Sequence, residues 1–186
     1  MQAIINACQS GNLAAQPVVV ISNNTGSGAL EIARRERIPC YHLSLTTHPD
    51  PAVLDEVITS TLKQYGVDLV VLAGYMKKVG PVMLKTYKNR IINIHPSLLP
   101  KYGGAGMYGT HVHEAVLTAG DRETGATVHL VDDEYDGGLV LEQRTVKVKE
   151  DDTIESLAER VLEVEHALYV DVLQKITRGE ITLPSA

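Results

Sequence analysis

The segment VDLVVLAGYMKKVGPVMLKTYKNRIINIHP, residues 67–96, determines the predicted fold. It contains two apolar, β-branched runs, at 67–75 and 90–94. They are separated by GPVMLKTYKN (80–89), where Pro81 stands at a position that the first turn of a helix tolerates. Continuous apolar runs of this length are typical of strands buried on both faces of a parallel sheet. The segment therefore predicts a strand, a helix and a second parallel strand.

The same alternation extends in both directions along the chain. We predict strands at 17–23, 125–132 and 139–148 and helices at 26–39, 50–66, 109–120 and 151–179, with a helical segment at the very start. Asp152 and Glu155 have the spacing of a capping box for the last helix. Strands alternating with helices predict the α/β fold class: one domain over 1–186, with a doubly wound, mostly parallel sheet and a mixed far edge.

The composition excludes several classes of protein. The chain has 186 residues, of which 44% are hydrophobic, which suits one domain with its own core. The net charge of −6 argues against general nucleic-acid binding. No apolar run approaches the roughly 18 residues of a membrane span. The two cysteines, Cys8 and Cys40, form no CxxC motif, which favours a reducing cytoplasm over a disulfide framework or a zinc site.

Asn93 and His95 end the second strand of the segment. Residues two apart on a strand face the same way, so these side chains point together. In open α/β sheets ligands bind beyond the carboxyl ends of the strands, where we expect this pair. Pro96 and Pro100 then stiffen the exit loop. The pair indicates either a ligand site or a structural tie between the strand and its loop.

The stretch DDEYDGG, residues 132–138, has four carboxylates within five positions. A turn between two strands needs fewer charges, although a plain hairpin turn is the simpler interpretation. Asp136 precedes two glycines that can take conformations closed to other residues. A carboxylate beside an imidazole favours the charged ring, so a pair of Asp136 and His95 would provide a general acid.

Glu165 interrupts the apolar stripe of the last helix, four residues after Val161. A carboxylate on a core-facing stripe is costly unless it is paired or belongs to a site. Glu165 is therefore either a functional residue or a residue at the edge of the stripe that reaches solvent.

Two further motifs carry weaker signals. TGSG (25–28) lies between a strand and a helix but lacks the GxGxxG spacing, which favours a tight turn over a nicotinamide site. His111 and His113 are two apart on a predicted helix and therefore diverge by about 200°. A helical metal motif uses a spacing of four, so we predict no metal site there.

Several stretches together resemble one enzyme family, in the same order and along essentially the whole chain. They are VVISNN…GSGAL, DLVVLAGYMKKV, RIINIHPSLLPKY, HVHEAVLTAG…TGATVHLVDDEYDGG and RVLEVEHALY. They are similar to the folate-dependent phosphoribosylglycinamide formyltransferases. The resemblance implies transfer of the formyl group from 10-formyltetrahydrofolate to the glycine amine of 5'-phosphoribosylglycinamide, a step of de novo purine (IMP) biosynthesis. We expect a cytoplasmic monomer or homodimer with small-molecule substrates and no metal, nucleic-acid or membrane partner.

The resemblance also implies roles for individual residues. Asn93, His95 and Asp136 match the catalytic trio of the family, and His129 matches a supporting histidine near it. Folate contacts are implied for Met76, Lys77, Lys78, Val79, Asn93, Val131, Asp132, Asp133, Glu134, Tyr135 and Asp136. Contacts with the ribonucleotide substrate are implied for Leu162, Glu163, Val164 and Glu165.

The trio suits the implied chemistry. Attack of the glycine amine on the formyl carbon creates a tetrahedral alkoxide, which protonated His95 and the Asn93 amide would stabilise by hydrogen bonds. Asp136 would keep the His95 ring charged and oriented. Alternatives are a related folate-dependent formyl hydrolase, a transferase to another amine, and a folate-binding domain without catalysis.

The sequence departs from the family pattern in two places. Family members begin with a strand and a Gly-x-Gly-Ser/Thr-Asn loop that grips the substrate phosphate, and residues 1–5 match the segment immediately after that loop. We therefore expect the first strand and the phosphate loop to be missing, through truncation or a misassigned start codon. Pro51 stands where the family has a folate-contacting arginine.

Overall fold

The computed structural model describes residues 1–185, which form six helices and six strands. The helices are α1 (Gln2–Gln9), α2 (Gly28–Arg35), α3 (Pro51–Gln64), α4 (Pro81–Thr86), α5 (Thr110–Thr118) and α6 (Ile154–Thr177). The strands are β1 (Val20–Ser22), β2 (Cys40–His42), β3 (Val70–Leu72), β4 (Ile91–His95), β5 (Glu123–Leu130) and β6 (Val140–Lys147). The predicted α/β class is confirmed. The sequence pattern missed β2, because three residues are too few to show a periodicity.

The strands form a parallel pair, β1–β2, and a four-stranded sheet in the order β3-β4-β5-β6. β3 and β4 are parallel, whereas β4, β5 and β6 are successively antiparallel, which is the predicted mixed edge. In the antiparallel register, Asn93 lies opposite His129 and His95 lies opposite Thr127. This register brings polar residues of two strands together at the carboxyl end of β4.

The two groups of strands share a core but no ladder within the described residues. Val19 and Ile21 pack against the same apolar cluster as Val70 and Ile91. The continuous apolar run at 17–23 also predicts a strand buried on both faces, and this prediction was wrong, because β1 is only half-buried. Its exposure has a physical reason, because within residues 1–185 β1 pairs with β2 alone, and its second edge is uncovered.

Helix α6 buries a continuous apolar stripe against the four-stranded sheet. Leu157, Val161, Leu168 and Val172 are fully buried on it. Its capping box uses Thr153 and Ser156, so the predicted pair Asp152 and Glu155 was wrong. Asp152 instead accepts hydrogen bonds from the Lys149 amide and the Arg160 side chain, which lower its pKa. None of the helices in residues 1–185 has the length and hydropathy to cross a membrane.

A buried carboxylate joins α3 to α4. Asp55, which is 7% exposed, accepts hydrogen bonds from the Val82 and Met83 amides at 2.7 and 3.2 Å. These amides lie in the first turn of α4, where no intrahelical acceptor exists. Gly80 leaves room for the carboxylate, because a Cβ there would lie 2.1 Å from Asp55 Cγ. Asp55 therefore orients the start of α4 and the segment that precedes it.

We expect Asp55→Ala to lower the free energy of unfolding by about 2–4 kcal/mol, because it leaves two amides of α4 without an acceptor. Urea denaturation followed by circular dichroism measures this change. The neighbouring exposed Glu56 provides the control, since Glu56→Ala should stay within about 0.5 kcal/mol of the parent. Equal effects of the two substitutions would contradict the capping role.

The open edges of the sheet predict fast amide exchange at defined positions. The Val70 amide donates to the Arg90 carbonyl, and the parallel register then turns the Val71 amide away from β4. We expect the Val71 amide to exchange about 100-fold faster than the Val70 amide in native-state hydrogen exchange followed by NMR. Equally slow exchange would show that another strand, for example from a second copy, occupies that edge.

Candidate active site

His95 is the most constrained of the predicted catalytic residues. Its ring is 4% exposed, and Nε2 donates a hydrogen bond to the Tyr102 carbonyl at 2.7 Å. The other nitrogen, Nδ1, lies 3.5 Å from Asp136 Oδ2. The ring therefore has one nitrogen committed to the main chain and one facing a carboxylate. Nδ1 is the atom that can exchange a proton at this site.

Asp136 lies between two imidazole rings. Its carboxylate is 3.5 Å from His95 Nδ1 and 3.6 Å from His129 Nε2, and it accepts a hydrogen bond from the Gly104 amide at 3.0 Å. Asp136 has φ = 55°, a left-handed conformation that aspartate tolerates better than most residues. The hairpin loop turns sharply after it, and a Cβ at Gly138 would lie 1.9 Å from the Leu130 carbonyl oxygen. Local backbone geometry thus directs the carboxylate to both rings.

His129 orients the Asn93 amide. The ring is 2% exposed, and Nδ1 donates to the Leu130 carbonyl at 2.8 Å. Burial lowers the pKa of His129, which favours the neutral ring and makes Nε2 an acceptor. Asn93 Nδ2 lies 3.3 Å from this Nε2 and donates one of its two hydrogens to it. The second amide hydrogen of Asn93 remains available to a ligand.

Glu165 lies on α6, one turn before Tyr169. It is half-buried, and burial raises its pKa to about 7. One turn later the buried Tyr169 hydroxyl lies 2.8 Å from the Leu72 carbonyl oxygen and 3.0 Å from the Ile92 carbonyl oxygen, and it shares its one hydrogen between them. Glu165 is therefore a partly dehydrated carboxyl group one helical turn before a residue that contacts β3 and β4.

The two segments with expected folate contacts meet at one point. Lys78 Nζ lies 5.9 Å from the centre of the Tyr135 ring, which joins the 76–79 segment to the 131–136 loop. Met76, Lys77, Lys78 and Tyr135 are exposed, as are Asp132, Asp133 and Glu134. Val79 differs, because its side chain is buried with Met83 in the core. Val131 is half-buried at the edge of the same cluster.

The expected ribonucleotide segment lies on one turn of α6. Leu162 and Glu163 are exposed, Leu162 to 47%. Val164 and Glu165 are half-buried, and Val164 packs against the core. The segment thus presents two exposed side chains and one half-buried carboxyl group.

Sequence reasoning missed the main-chain groups of the exit loop. The Tyr102 carbonyl and the Gly104 amide contact His95 and Asp136, yet no side-chain pattern could reveal them. It also missed His113, which is buried with Nδ1 unpartnered; burial and the nearby His95 lower its pKa. The position of His113 on the buried face of α5 was the sequence feature that could have indicated this residue.

The cavities and metal motifs of the described residues do not locate the site. One surface cavity of about 930 Å³ is lined by Lys101, Tyr102 and Asp121, and another of about 460 Å³ lies beside Cys8 and Arg37. Neither contains a residue of the trio. No group of three or more possible metal ligands occurs in residues 1–185. The structure does bring Asn93, His95, His129 and Asp136 together in one polar cluster, which is the candidate site.

Comparisons with known proteins identify the relatives of the chain. A phosphoribosylglycinamide formyltransferase of Haemophilus influenzae is 38% identical over 183 residues, which are 98% of this chain and 84% of that protein. The chloroplastic phosphoribosylglycinamide formyltransferase of Arabidopsis thaliana is 40% identical over 96% of this chain. The chain spans 61% of that plant protein, less than two thirds of its length.

The fold and the family agree with these relatives. The crystal structure of glycinamide ribonucleotide transformylase 1 from Symbiobacterium toebii has a TM-score of 0.91 and 36% identity, over 99% of this chain and 84% of that one. Residues 1–173 match the family described as formyl transferase. The chain therefore belongs to the formyl transferase family.

Proposed function

We propose that the chain transfers the formyl group of 10-formyltetrahydrofolate to the glycine amine of 5'-phosphoribosylglycinamide, a step of purine biosynthesis. The observation that carries the proposal is the position of Asp136 between His95 and His129, with Asn93 alongside, in a chain of the formyl transferase family. The names of the relatives supply the acceptor, since the proteins from H. influenzae and A. thaliana are both phosphoribosylglycinamide formyltransferases.

Asn93 and His95 act on the tetrahedral intermediate. The glycine amine attacks the formyl carbon, and the carbonyl oxygen becomes an alkoxide. The free Asn93 amide hydrogen and a proton on His95 Nδ1 donate to this oxygen. The Tyr102 carbonyl holds Nε2, so the ring keeps Nδ1 towards Asp136 and the reacting atoms. The donors are therefore oriented before the substrate arrives.

The proton transfers of this reaction indicate a role for Asp136. The attacking amine loses one proton, and the N10 atom of the folate gains one as its bond to the formyl carbon breaks. Asp136, 3.5 Å from Nδ1, stabilises the charged His95 ring while the proton moves. His129 stays neutral and holds the Asn93 amide. Both donors are side chains of the protein, so the proposal calls for no metal.

The two substrates contact different elements. The folate contacts Met76, Lys77 and Lys78 and the loop from Val131 to Asp136, with Val79 supplying main-chain groups because its side chain is in the core. The ribonucleotide contacts the α6 segment from Leu162 to Glu165. The Glu165 carboxyl group accepts hydrogen bonds from the amine or amide of the substrate, which compensates for its burial.

Location and assembly belong to the same proposal. Cys8 and Cys40 are unbridged, which is compatible with the reducing cytoplasm. The A. thaliana relative is named chloroplastic, so the names of the relatives include another compartment. We propose a cytoplasmic monomer or homodimer that acts on small-molecule substrates.

The first test is formyl transfer by single-site variants. We expect His95→Ala and Asp136→Asn to lower kcat by about 10²–10⁴, because they remove an oxyanion donor and the partner of its charge. The assay follows the deformylated folate by absorbance with 5'-phosphoribosylglycinamide as acceptor. Formate release without this acceptor would instead identify a hydrolase.

The control for this test is His48→Ala, which removes a histidine outside the cluster. We expect parental rates and parental folate binding for it. Melting temperatures close to that of the parent protein for all three variants show that the losses are catalytic. Rates within about threefold of the parent for His95→Ala would refute the assigned role.

The second test uses the raised pKa of Glu165. With a pKa of about 7, the group is about nine-tenths protonated at pH 6. Hydrogen bonds from the ribonucleotide favour the ionised form, so Glu165 should release nearly one proton on binding at pH 6 and almost none on binding at pH 8.5. Calorimetry in two buffers of different ionisation enthalpy counts these protons. Glu165→Gln should abolish the release, and an unchanged proton count in this variant would show that the ligand meets another group.

A further inference from the structure

We propose that Thr127 and Asp121 are positioning residues of this active site, which act through the exit loop 97–104 that follows β4. The proposal rests on the formyl transfer proposed above. Neither side chain contacts the trio through its own polar atoms. They hold the two ends of a loop whose main chain determines the orientation of His95 and Asp136.

The exit loop contacts both catalytic groups through its backbone. Its Tyr102 carbonyl accepts the hydrogen of His95 Nε2 at 2.7 Å, and its Gly104 amide donates to Asp136 Oδ2 at 3.0 Å. Gly103, between them, packs so closely that a Cβ there would lie 3.3 Å from Asp136 Cβ. The His95–Asp136 geometry therefore depends on where residues 102–104 lie.

Thr127 anchors the beginning of the loop. Its side chain is fully buried, and Oγ1 donates to the Ser97 carbonyl at 2.6 Å and accepts from the Leu99 amide at 3.1 Å. The Gln143 amide also donates to this hydroxyl at 2.8 Å and to the Leu99 carbonyl at 2.9 Å. One hydroxyl thus uses its single hydrogen and both lone pairs on the loop and on the neighbouring strand.

Asp121 anchors the end of the loop. Its carboxylate accepts hydrogen bonds from Lys101 Nζ and from the Tyr102 hydroxyl, both at 2.7 Å. These two bonds lower the pKa of Asp121, so the carboxylate is ionised at neutral pH. Tyr102 has φ = 58°, which turns its carbonyl back towards His95. Held by its hydroxyl and by its carbonyl, Tyr102 connects Asp121 to the catalytic ring.

The loop is also closed internally. Ser97 Oγ donates to the Lys101 carbonyl at 2.6 Å. Removal of either anchor therefore releases one end of the exit loop. Because the two ends of the loop are linked, the Tyr102 carbonyl then loses its fixed position relative to His95. The ring can then turn, and the hydrogen no longer stays on Nε2. A misplacement of about 1 Å at reacting groups can lower a rate by about 100-fold.

The test compares Thr127→Val and Asp121→Ala with the parent protein. We expect kcat to fall by about 10- to 100-fold with KM for both substrates changed by less than about threefold, since the binding contacts remain. Thr127→Ser keeps the hydroxyl and should recover most of the rate. Asp121 lies at the surface, so its variant remains informative if Thr127→Val does not fold.

A second measurement does not depend on activity. With the histidines ¹⁵N-labelled, NMR of the parent protein should show the His95 hydrogen on Nε2, with the signal assigned by its loss in His95→Gln. In Thr127→Val and in Asp121→Ala the two ring nitrogens should become more alike, because the acceptor for Nε2 is no longer fixed. This readout also separates positioning from a general loss of stability.

The chain offers a matched control for each anchor. Thr124 lies on β5 like Thr127 and is 3% exposed, but its hydroxyl is buried without a hydrogen-bond partner, so Thr124→Val should leave kcat and the His95 signals unchanged. Asp171 lies on α6 and forms an ion pair with Arg144 at 2.6 Å, so Asp171→Ala should also leave kcat and the His95 signals unchanged.

The outcomes separate the two proposals. Parental kcat and parental His95 signals in both anchor variants would overturn the positioning role. A parent protein that binds folate but does not transfer the formyl group would refute the proposed function, and the NMR comparison would still decide whether the anchors orient His95.

Discussion

The antiparallel pairing of β4 with β5 is the constraint on which the site depends. It places His129 opposite Asn93, where the His129 ring accepts from the Asn93 amide, and Thr127 opposite His95, where the Thr127 hydroxyl holds the loop that follows β4. A shift of one residue would turn every one of these side chains to the opposite face of the sheet. The apolar residues of the same strands, such as Ile92 and Val128, are fully buried and make such a shift costly.

Almost all polar side chains around the end of β4 have hydrogen-bond partners within the protein. The buried His129 ring is held by the Leu130 carbonyl, the His95 ring by the Tyr102 carbonyl, and the Asp136 carboxylate by the Gly104 amide. In a region of low dielectric such contacts are strong, and an unpaired group is costly. The Asn93 amide, the Nδ1 face of His95 and the Glu165 carboxyl group retain unused bonding capacity. A ligand at the carboxyl end of the sheet can use it.

Much of this was predictable from the sequence, and the failures have physical causes. The alternation of apolar runs and helical segments is visible at 67–96, because residues buried on both faces must be apolar throughout. The strand β2 was missed because three residues show no period. The capping box of α6 was misassigned by one residue, from Thr153 to Asp152, since serine, threonine and aspartate at neighbouring positions can all cap a helix. The exposure of β1 depends on which strands pair, which local sequence does not encode.

The sequence by itself determined the α/β class, and it indicated the end of β4 as a candidate site, with Asn93, His95 and Asp136 as candidate catalytic residues. These properties follow from residue type and spacing, which act locally. The tertiary structure alone decided which nitrogen of His95 contacts the main chain, which ring orients the Asn93 amide, and that the backbone of one loop contacts both His95 and Asp136. These are contacts between residues far apart in the chain. They involve main-chain groups that every residue carries, so only the folded backbone can specify them.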